Sequence, residues 1–143
     1  MNHRIYISKS NLADQETLKE LRGLLKKEGV TIEEYSGGKY SDEPIQKSSL
    51  FMSVSYPEAK EKEKVYLGKG TFTEALKASI LGIPVYYFDG RFFRCKEVST
   101  YDQNDYQKKF GYMVLYSKPE NLRDILKKFP IKEHKLKNNI ELI

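Results

Sequence analysis

The chain is poor in the residues that build covalent staples and metal centres. Of its 143 residues one is cysteine, Cys95, and two are histidine, His3 and His134. A single thiol excludes an internal disulfide framework. Two histidines far apart in sequence, with one cysteine, give no zinc-site spacing, so no metal is expected. Long apolar runs are missing too. The longest nearly uncharged stretch, Ala78 to Phe88, falls far short of the roughly 20 residues a membrane span needs. The opening Met1-Asn2-His3-Arg4 leads straight into a strand-like segment, with no apolar signal core and no cleavage pattern. No linker or internal repeat divides the chain. These absences predict a soluble cytoplasmic protein with no cofactor and no membrane partner.

What is present is a dense globular composition, with 39% hydrophobic residues, 31% charged residues, 11 tyrosines and 7 phenylalanines. Chains of this length bury about two thirds of their surface on folding and form one core. The expectation is therefore a single α/β domain over residues 1–143, with a basic C-terminal helix and tail from about residue 119. The net charge is +5. The excess is marked toward the end, where Arg123, Lys127, Lys128, Lys132, Lys135 and Lys137 face only Asp124 and Glu133. That density is modest and no nucleic-acid signature accompanies it, so nucleic acid is not the expected partner. Small anionic ligands suit the charge.

Periodicity gives the order of elements. Arg4 to Ser8 alternates as a short strand. Asn11 or Asp14 can cap a helix reaching about Glu28, with Leu18, Leu21, Leu24 and Leu25 on one face and Gly29 as its stop. Val30 to Tyr35 reads as a second strand, ended by the turn residues Ser36-Gly37-Gly38. Leu50 to Val54, apolar but for Ser53, has the character of a central parallel strand buried on both faces. The mixed charge run from Ala59 to Lys64 reads as an exposed loop. A helix is expected over Thr71 to Leu81, then a strand over Val85 to Phe88, a turn at Asp89-Gly90, and a short strand or hairpin arm over Arg91 to Val98. Met113 to Tyr116 is the last strand. Ser117-Lys118-Pro119-Glu120 opens a final helix with serine as its cap. Helices interleaved with apolar strands predict a single open, mostly parallel sheet of about five strands, Rossmann-like and flanked by helices.

In such sheets ligands bind beyond the carboxyl ends of the strands. Three loops should meet there: Ser8-Lys9-Ser10-Asn11, Ser36-Gly37-Gly38-Lys39-Tyr40-Ser41, and Gly68-Lys69-Gly70-Thr71-Phe72-Thr73-Glu74. In the third, Gly68 and Gly70 permit a tight turn and a close approach to a ligand. Thr71 is placed to cap the helix, and the free amides behind it form an anion cradle. Lys69 adds a positive charge, and Glu74 lies one turn in. A carboxylate beside a phosphate-sized cradle suits a sugar, as a hydrogen-bond acceptor or as the group that attacks or stabilises a cationic anomeric carbon. Thr71-x-x-Glu74 is equally the spacing of a capping box, in which Glu74 only satisfies the Thr71 amide. The motif is neither Walker A nor the dinucleotide fingerprint. Ser36-Gly37-Gly38-Lys39-Tyr40 is either a second anion-binding turn, through successive amides, or a plain one. Cys95, between Arg94 and Lys96, would favour a thiolate if exposed. Tyr86, Tyr87, Phe88, Phe92 and Phe93 form an aromatic cluster that reads as core packing, or as a face that stacks a base or covers a partner.

The run Gly70-Thr71-x-x-Glu74-x-x-x-Ala78-x-x-x-Gly82-Ile83-Pro84-Val85 resembles the signature of the nucleoside 2-deoxyribosyltransferase family. It is also similar to related nucleotide-binding proteins that carry a glycine-threonine-x-x-glutamate element, and the likeness extends over about the first 90 residues. The resemblance implies that Glu74 is the nucleophile or sugar-binding carboxylate and that Tyr6 lies near the floor of the site. It further implies that Gly70 and Thr71 hold the sugar or its phosphate, and that the protein is a homo-oligomer. The chain has Lys47-Ser48-Ser49 where that family usually has an aspartate, and Leu76 where it usually has glycine.

Two functions stay open. One is a hydrolase or transferase of the N-glycosidic bond of a nucleoside or nucleotide, with Glu74 and Tyr6 catalytic. Asp42, Glu43, Tyr6 and Tyr40 are its candidate general acids. The other is a non-catalytic protein that senses or sequesters a phosphorylated nucleotide, whose phosphate suits Lys9, Lys39 and Lys69. On either reading the expected ligand-binding residues are Ser8, Lys9, Ser10, Gly37, Gly38, Lys39, Tyr40, Gly68, Lys69, Gly70 and Thr71.

Overall fold

The first half of the chain places short apolar strands side by side. In the computed structural model, which describes residues 2–35, 37–100 and 111–132, β1 (Arg4–Lys9) pairs in parallel with both β2 (Thr31–Glu34) and β3 (Leu50–Val54). In turn β3 pairs in parallel with β6 (Val85–Phe88). Every residue of β3 is buried, as expected of a central strand with helices on both faces. Helix α1 (Gln15–Lys27) joins β1 to β2. The Asp14 carboxylate caps it by accepting the Thr17 amide at 3.0 Å, and Gly29, at φ 72°, ends it.

Beyond β6 the sheet changes character. Gly90, at φ 108°, turns the chain back, and β7 (Phe92–Thr100) runs antiparallel to β6 from Phe92 to Arg94. From Cys95 onward β7 pairs instead with β8 (Gly111–Leu115), across a register shift between Cys95 and Glu97. Such a shift bends a strand and increases its twist. Strand β8 then pairs with β5 (Lys64–Leu67), and β5 with the two-residue edge strand β4 (Lys60–Glu61), both antiparallel. The result is one eight-stranded mixed sheet of order β2-β1-β3-β6-β7-β8-β5-β4, curled into a half-barrel.

This overturns the expected single, mostly parallel five-stranded Rossmann-like sheet. Four strands are parallel, and the others add an antiparallel wing. The charge run read as an exposed loop is largely the β4–β5 hairpin. Lysines and glutamates suit a strand at a sheet edge, where charge deters pairing with other chains, and this disguises the strand in the sequence. Helix α2 (Glu43–Lys47) was not expected at all; one apolar residue, Ile45, anchors it. Helix α4 (Leu122–Lys128) is capped by Asn121, whose side chain accepts the Arg123 amide at 2.9 Å, and not by Ser117. Glu120 instead bridges to β7 through the backbone of Phe92. Ser36 and the tail residues Glu133, His134, Lys135 and Lys137 lie outside the described residues.

Alternation along the strands divides the core into two layers. Ile5, Ile7, Met52 and Phe88 face α1 and α4. Tyr6, Phe51, Val85, Tyr87 and Met113 face α3 (Lys69–Ile80), which lies inside the curl against β1, β3 and β5 to β8. All five residues of the aromatic cluster are buried, so it is core and presents no face to a base or a partner. Helix α3 buries only small residues, Thr71, Ala75 and Ala78, and so approaches the sheet closely. Gly111 completes that fit. A methyl group there would run into the Phe72 ring and the Ser99 carbonyl.

Overpacked core positions typically lose about 1–3 kcal/mol. Gly111→Ala is expected to lower the stability measured by chemical denaturation within that range. A loss below about 0.5 kcal/mol would show that Phe72 gives way freely.

Candidate functional site

Residues two apart on a strand share a face, so β1 points both Tyr6 and Ser8 toward α3. There they meet Glu74. The Tyr6 hydroxyl donates to Glu74 Oε2, and the Ser8 hydroxyl donates to Oε1 at 2.8 Å. A third hydroxyl arrives from the loop after β2, where Tyr40 donates to Oε2 at 3.3 Å. Two of the three donors are almost fully buried, Tyr6 at 2% exposure and Ser8 at 1%. Tyr6 is further held by stacking on Phe51, with ring centroids 5.6 Å apart. The carboxylate is thus fixed from three directions.

This settles the capping-box alternative. Gly68, not Thr71, is the residue before the helix; Thr71 is buried within the first turn, and Glu74 turns to the sheet rather than back to the Thr71 amide. The glycines also act differently from expectation. Gly68 has φ −73°, and neither Gly68 nor Gly70 adopts a positive φ. Their use is the open space where a side chain would stand.

The three loops converge as expected. Ser10 and Lys9 from the first, Tyr40 from the second, and Gly68, Lys69, Gly70, Thr71 and Glu74 from the third line one cavity of about 1040 Å³. That is at the upper end of the range of about 300–1,000 Å³ usual for small-molecule sites. A recess of about 250 Å³, lined in part by Tyr6, shares Lys9, Ser10 and Glu74 with it. Gly37, Gly38 and Lys39 line neither space. The two glycines have positive φ, at 97° and 78°, and form a surface turn fastened by the Tyr35 hydroxyl, which donates to the Gly38 carbonyl at 2.7 Å. Cavity residues that the sequence did not single out are Leu12, Tyr35 and Tyr56. Ser53 is the clearest omission. It stands in register with Ser8 at the end of β3, is fully buried, and its hydroxyl has no hydrogen-bond partner among the described residues. Its signal was present, as the one polar residue of an otherwise apolar strand.

Charge at the site is largely balanced. The Lys9 ammonium lies 3.0 Å from Glu34, which also takes a two-point contact from Arg22, at 2.7 and 3.1 Å. Burial alone would push the Glu34 carboxyl up, but hydrogen bonds from Arg22 and Lys9 outweigh it and hold the group below its ordinary range. Lys9 therefore reaches the cavity already paired. Burial, then Glu74, pushes the Tyr6 phenol well above its ordinary value; burial, then Glu74 and Asp42, does the same at Tyr40. Both phenols keep their protons at neutral pH and act as donors. Of the other acid candidates, Asp42 is ion-paired with Lys77 at 2.7 Å and Glu43 with Lys47 at 2.9 Å. Neither lines the cavity. Cys95 departs from the reactive thiol that its basic neighbours suggested, because burial pushes it up to about 11.

The chain matches no protein-family model, no curated protein and no solved structure.

Two expectations follow from these proton affinities. At pH 8 about one Cys95 thiol in a thousand is ionised, so labelling by a disulfide reagent should be about two orders of magnitude slower in the folded than in the unfolded protein. The tyrosines give the second. The phenols of Tyr6, Tyr40 and Tyr86 are raised, and burial, with Asp89 adding, pushes Tyr87 up to about 12. Below the ordinary value of 10 both folded and unfolded states keep these protons and stability is unaffected. Above it the unfolded chain releases them first, so stability falls as the pH rises toward the folded-state values. Thermal melts should show Tm dropping by several degrees, on the order of 5 °C, between pH 10 and 11.5.

Proposed function

We propose that this protein cleaves or transfers the N-glycosidic bond of a nucleoside or nucleotide, with Glu74 as the group that meets the anomeric carbon. The observation that carries this reading is the Glu74 carboxylate, held by the Tyr6, Ser8 and Tyr40 hydroxyls on the wall of the large cavity. A carboxylate fixed in this way needs no reorganisation when positive charge develops on a sugar ring. The remaining walls suit the rest of such a substrate. Tyr35, Tyr40 and Tyr56 offer aromatic surface to a base. The amino end of α3, with Gly68 and Gly70 leaving its amides uncovered, suits a hydroxyl or phosphate of the sugar.

In the first step a Glu74 oxygen forms a bond to C1′ while the bond from C1′ to the base nitrogen breaks, and its electron pair leaves with the base. In the second step water, or the nitrogen of another base, adds to C1′ and releases the carboxylate; the proton lost by that nucleophile balances the one the departing base takes up. Tyr6, whose proton is tightly held, steadies the carboxylate and is not the base.

One observation favours binding without turnover. Among the described residues that line the cavity, Glu74 is the single carboxylate, whereas glycoside hydrolysis commonly uses a pair.

The test is incubation with deoxynucleosides, ribonucleosides and their monophosphates, followed by mass spectrometry of the solution and of the protein-retained fraction. Wild-type protein is expected to release free base or an exchanged glycoside. Glu74→Gln should reduce that rate by about a thousandfold or more. Tyr6→Phe loses a hydrogen bond to a charged group, about 1.5–3 kcal/mol, and should slow it by about 10- to 100-fold. An intact compound retained on both wild-type and Glu74→Gln protein would make this a binding protein.

A further inference from the structure

A second recess lies on the other side of the sheet, between β7 and the turn into α4. It holds about 610 Å³ and is lined in part by Arg94, Tyr116, Lys118, Glu120, Asp124 and Lys128. That volume is within the range of about 300–1,000 Å³ usual for small-molecule sites. Arg94 stands opposite Tyr86 in the β6–β7 pair, and residues paired in this way share a face of the sheet. Tyr86 packs in the layer of α1 and α4, whereas Glu74 belongs to α3 in the other layer. The sheet therefore separates the two sites.

Charge in this recess is unevenly matched. Glu120 is engaged, because its Oε1 accepts the Tyr86 hydroxyl at 3.1 Å and Lys128 Nζ at 3.2 Å. Arg94 has no such partner. Its half-buried guanidinium lies over the Phe129 ring, 5.1 Å from the centroid, and no group among the described residues accepts a hydrogen bond from it. Phe129 is itself set edge-on against Tyr86, with centroids 6.3 Å apart. The ring steadies the guanidinium and leaves its planar fork of N–H donors for the oxygens of a phosphate or carboxylate. Arg94, Lys118 and Lys128 against Glu120 and the exposed Asp124 leave one positive charge in excess.

The same recess offers an aromatic surface. Lys96 Nζ covers one side of the Tyr116 ring, 5.0 Å from its centroid, yet Tyr116 keeps 48% of its surface exposed. A free ring near an unpaired guanidinium recognises a flat anion, since one supplies apolar contact and the other charge-assisted hydrogen bonds. We propose that this recess is a second ligand site, for a small aromatic oxyanion whose phosphate or carboxylate meets Arg94 and whose ring lies on Tyr116. The site does not depend on the chemistry assigned to Glu74.

The experiment is a titration of the isotopically labelled full chain with phenyl phosphate and with benzoate, followed by amide NMR shifts and by calorimetry. At least one of the two is expected to saturate with a Kd of about 1 mM or below. It should shift the amides of Arg94 and residues 116–121 and leave those of residues 68–74 in place. The ringless counterpart, methyl phosphate or acetate, should bind at least about fivefold more weakly. Arg94→Gln should weaken the aromatic probe by at least about tenfold, and Arg94→Lys, which keeps the charge but not the fork, by about three- to tenfold. Tyr116→Ala should bring the aromatic and ringless probes within about twofold of each other. Thermal melts accompany each variant; Arg94 packs on Phe129, so if its variants melt early the exposed Tyr116→Ala decides alone. Binding of both aromatic probes weaker than about 10 mM overturns the proposal. So do shifts confined to residues 68–74, equal affinity of the wild type for aromatic and ringless probes, or unchanged affinity in a folded Arg94→Gln or Tyr116→Ala protein.

Discussion

Everything about this site depends on how closely α3 lies to the sheet. The helix presents Thr71, Ala75 and Ala78 inward, and β8 presents Gly111 beneath Phe72. Small groups on both surfaces let the helix axis settle near the strands. Glu74 on its second turn then reaches the Tyr6 and Ser8 hydroxyls directly. Larger residues on the buried stripe would lift the helix, and the carboxylate would face solvent. The curl of the sheet is part of the same constraint, because a flat sheet could not contact α3 from β1 on one side and β8 on the other. The register shift in β7, between Cys95 and Glu97, lies where the sheet turns from its parallel to its antiparallel half.

Polarity is distributed with the same economy. The inner layer is apolar in its middle and ends in hydroxyls, with Ser8 and Ser53 side by side at the carboxyl ends of β1 and β3. Glu34 takes the charges of Lys9 and Arg22 behind the cavity. Asp42 takes that of Lys77 beside it. The cavity therefore does not present a cluster of uncompensated lysines. Its polar character comes from oriented hydroxyls and from backbone amides at a helix end, which hold a neutral sugar as readily as a charged group. This balance sits better with chemistry at a sugar carbon than with capture of a phosphate by charge alone.

How far the sequence could be read is clearest residue by residue. Leu18, Leu21 and Leu25 at helical spacing mark α1, and Asp14 marks its start, because periodicity and capping are local effects. The parallel strands are legible because burial on both faces leaves an apolar run. The antiparallel wing is not. Lys60, Glu61 and Lys64 serve an edge, where charge is favoured, and so resemble loop residues. Strand β7 changes partner midway, a property of two distant segments that no local pattern records. At the site, the Gly-Lys-Gly-Thr run and Glu74 stand out by spacing, whereas whether Glu74 caps its own helix or turns to the hydroxyls of the sheet does not.

By itself the sequence determined the helices with strong periodicity, the parallel strands, the absence of disulfides and the three loops that meet at one cavity. These follow from patterns a few residues long. Tertiary structure decided the eight-stranded mixed sheet, the burial that raises Cys95, the pairing of Lys9 with Glu34, and above all which groups surround the Glu74 carboxylate. Its donors come from positions 6, 8 and 40. Only folding brings such separated hydroxyls within hydrogen-bonding distance of one acceptor, because the energy that places them there is the packing of α3 against a curled sheet.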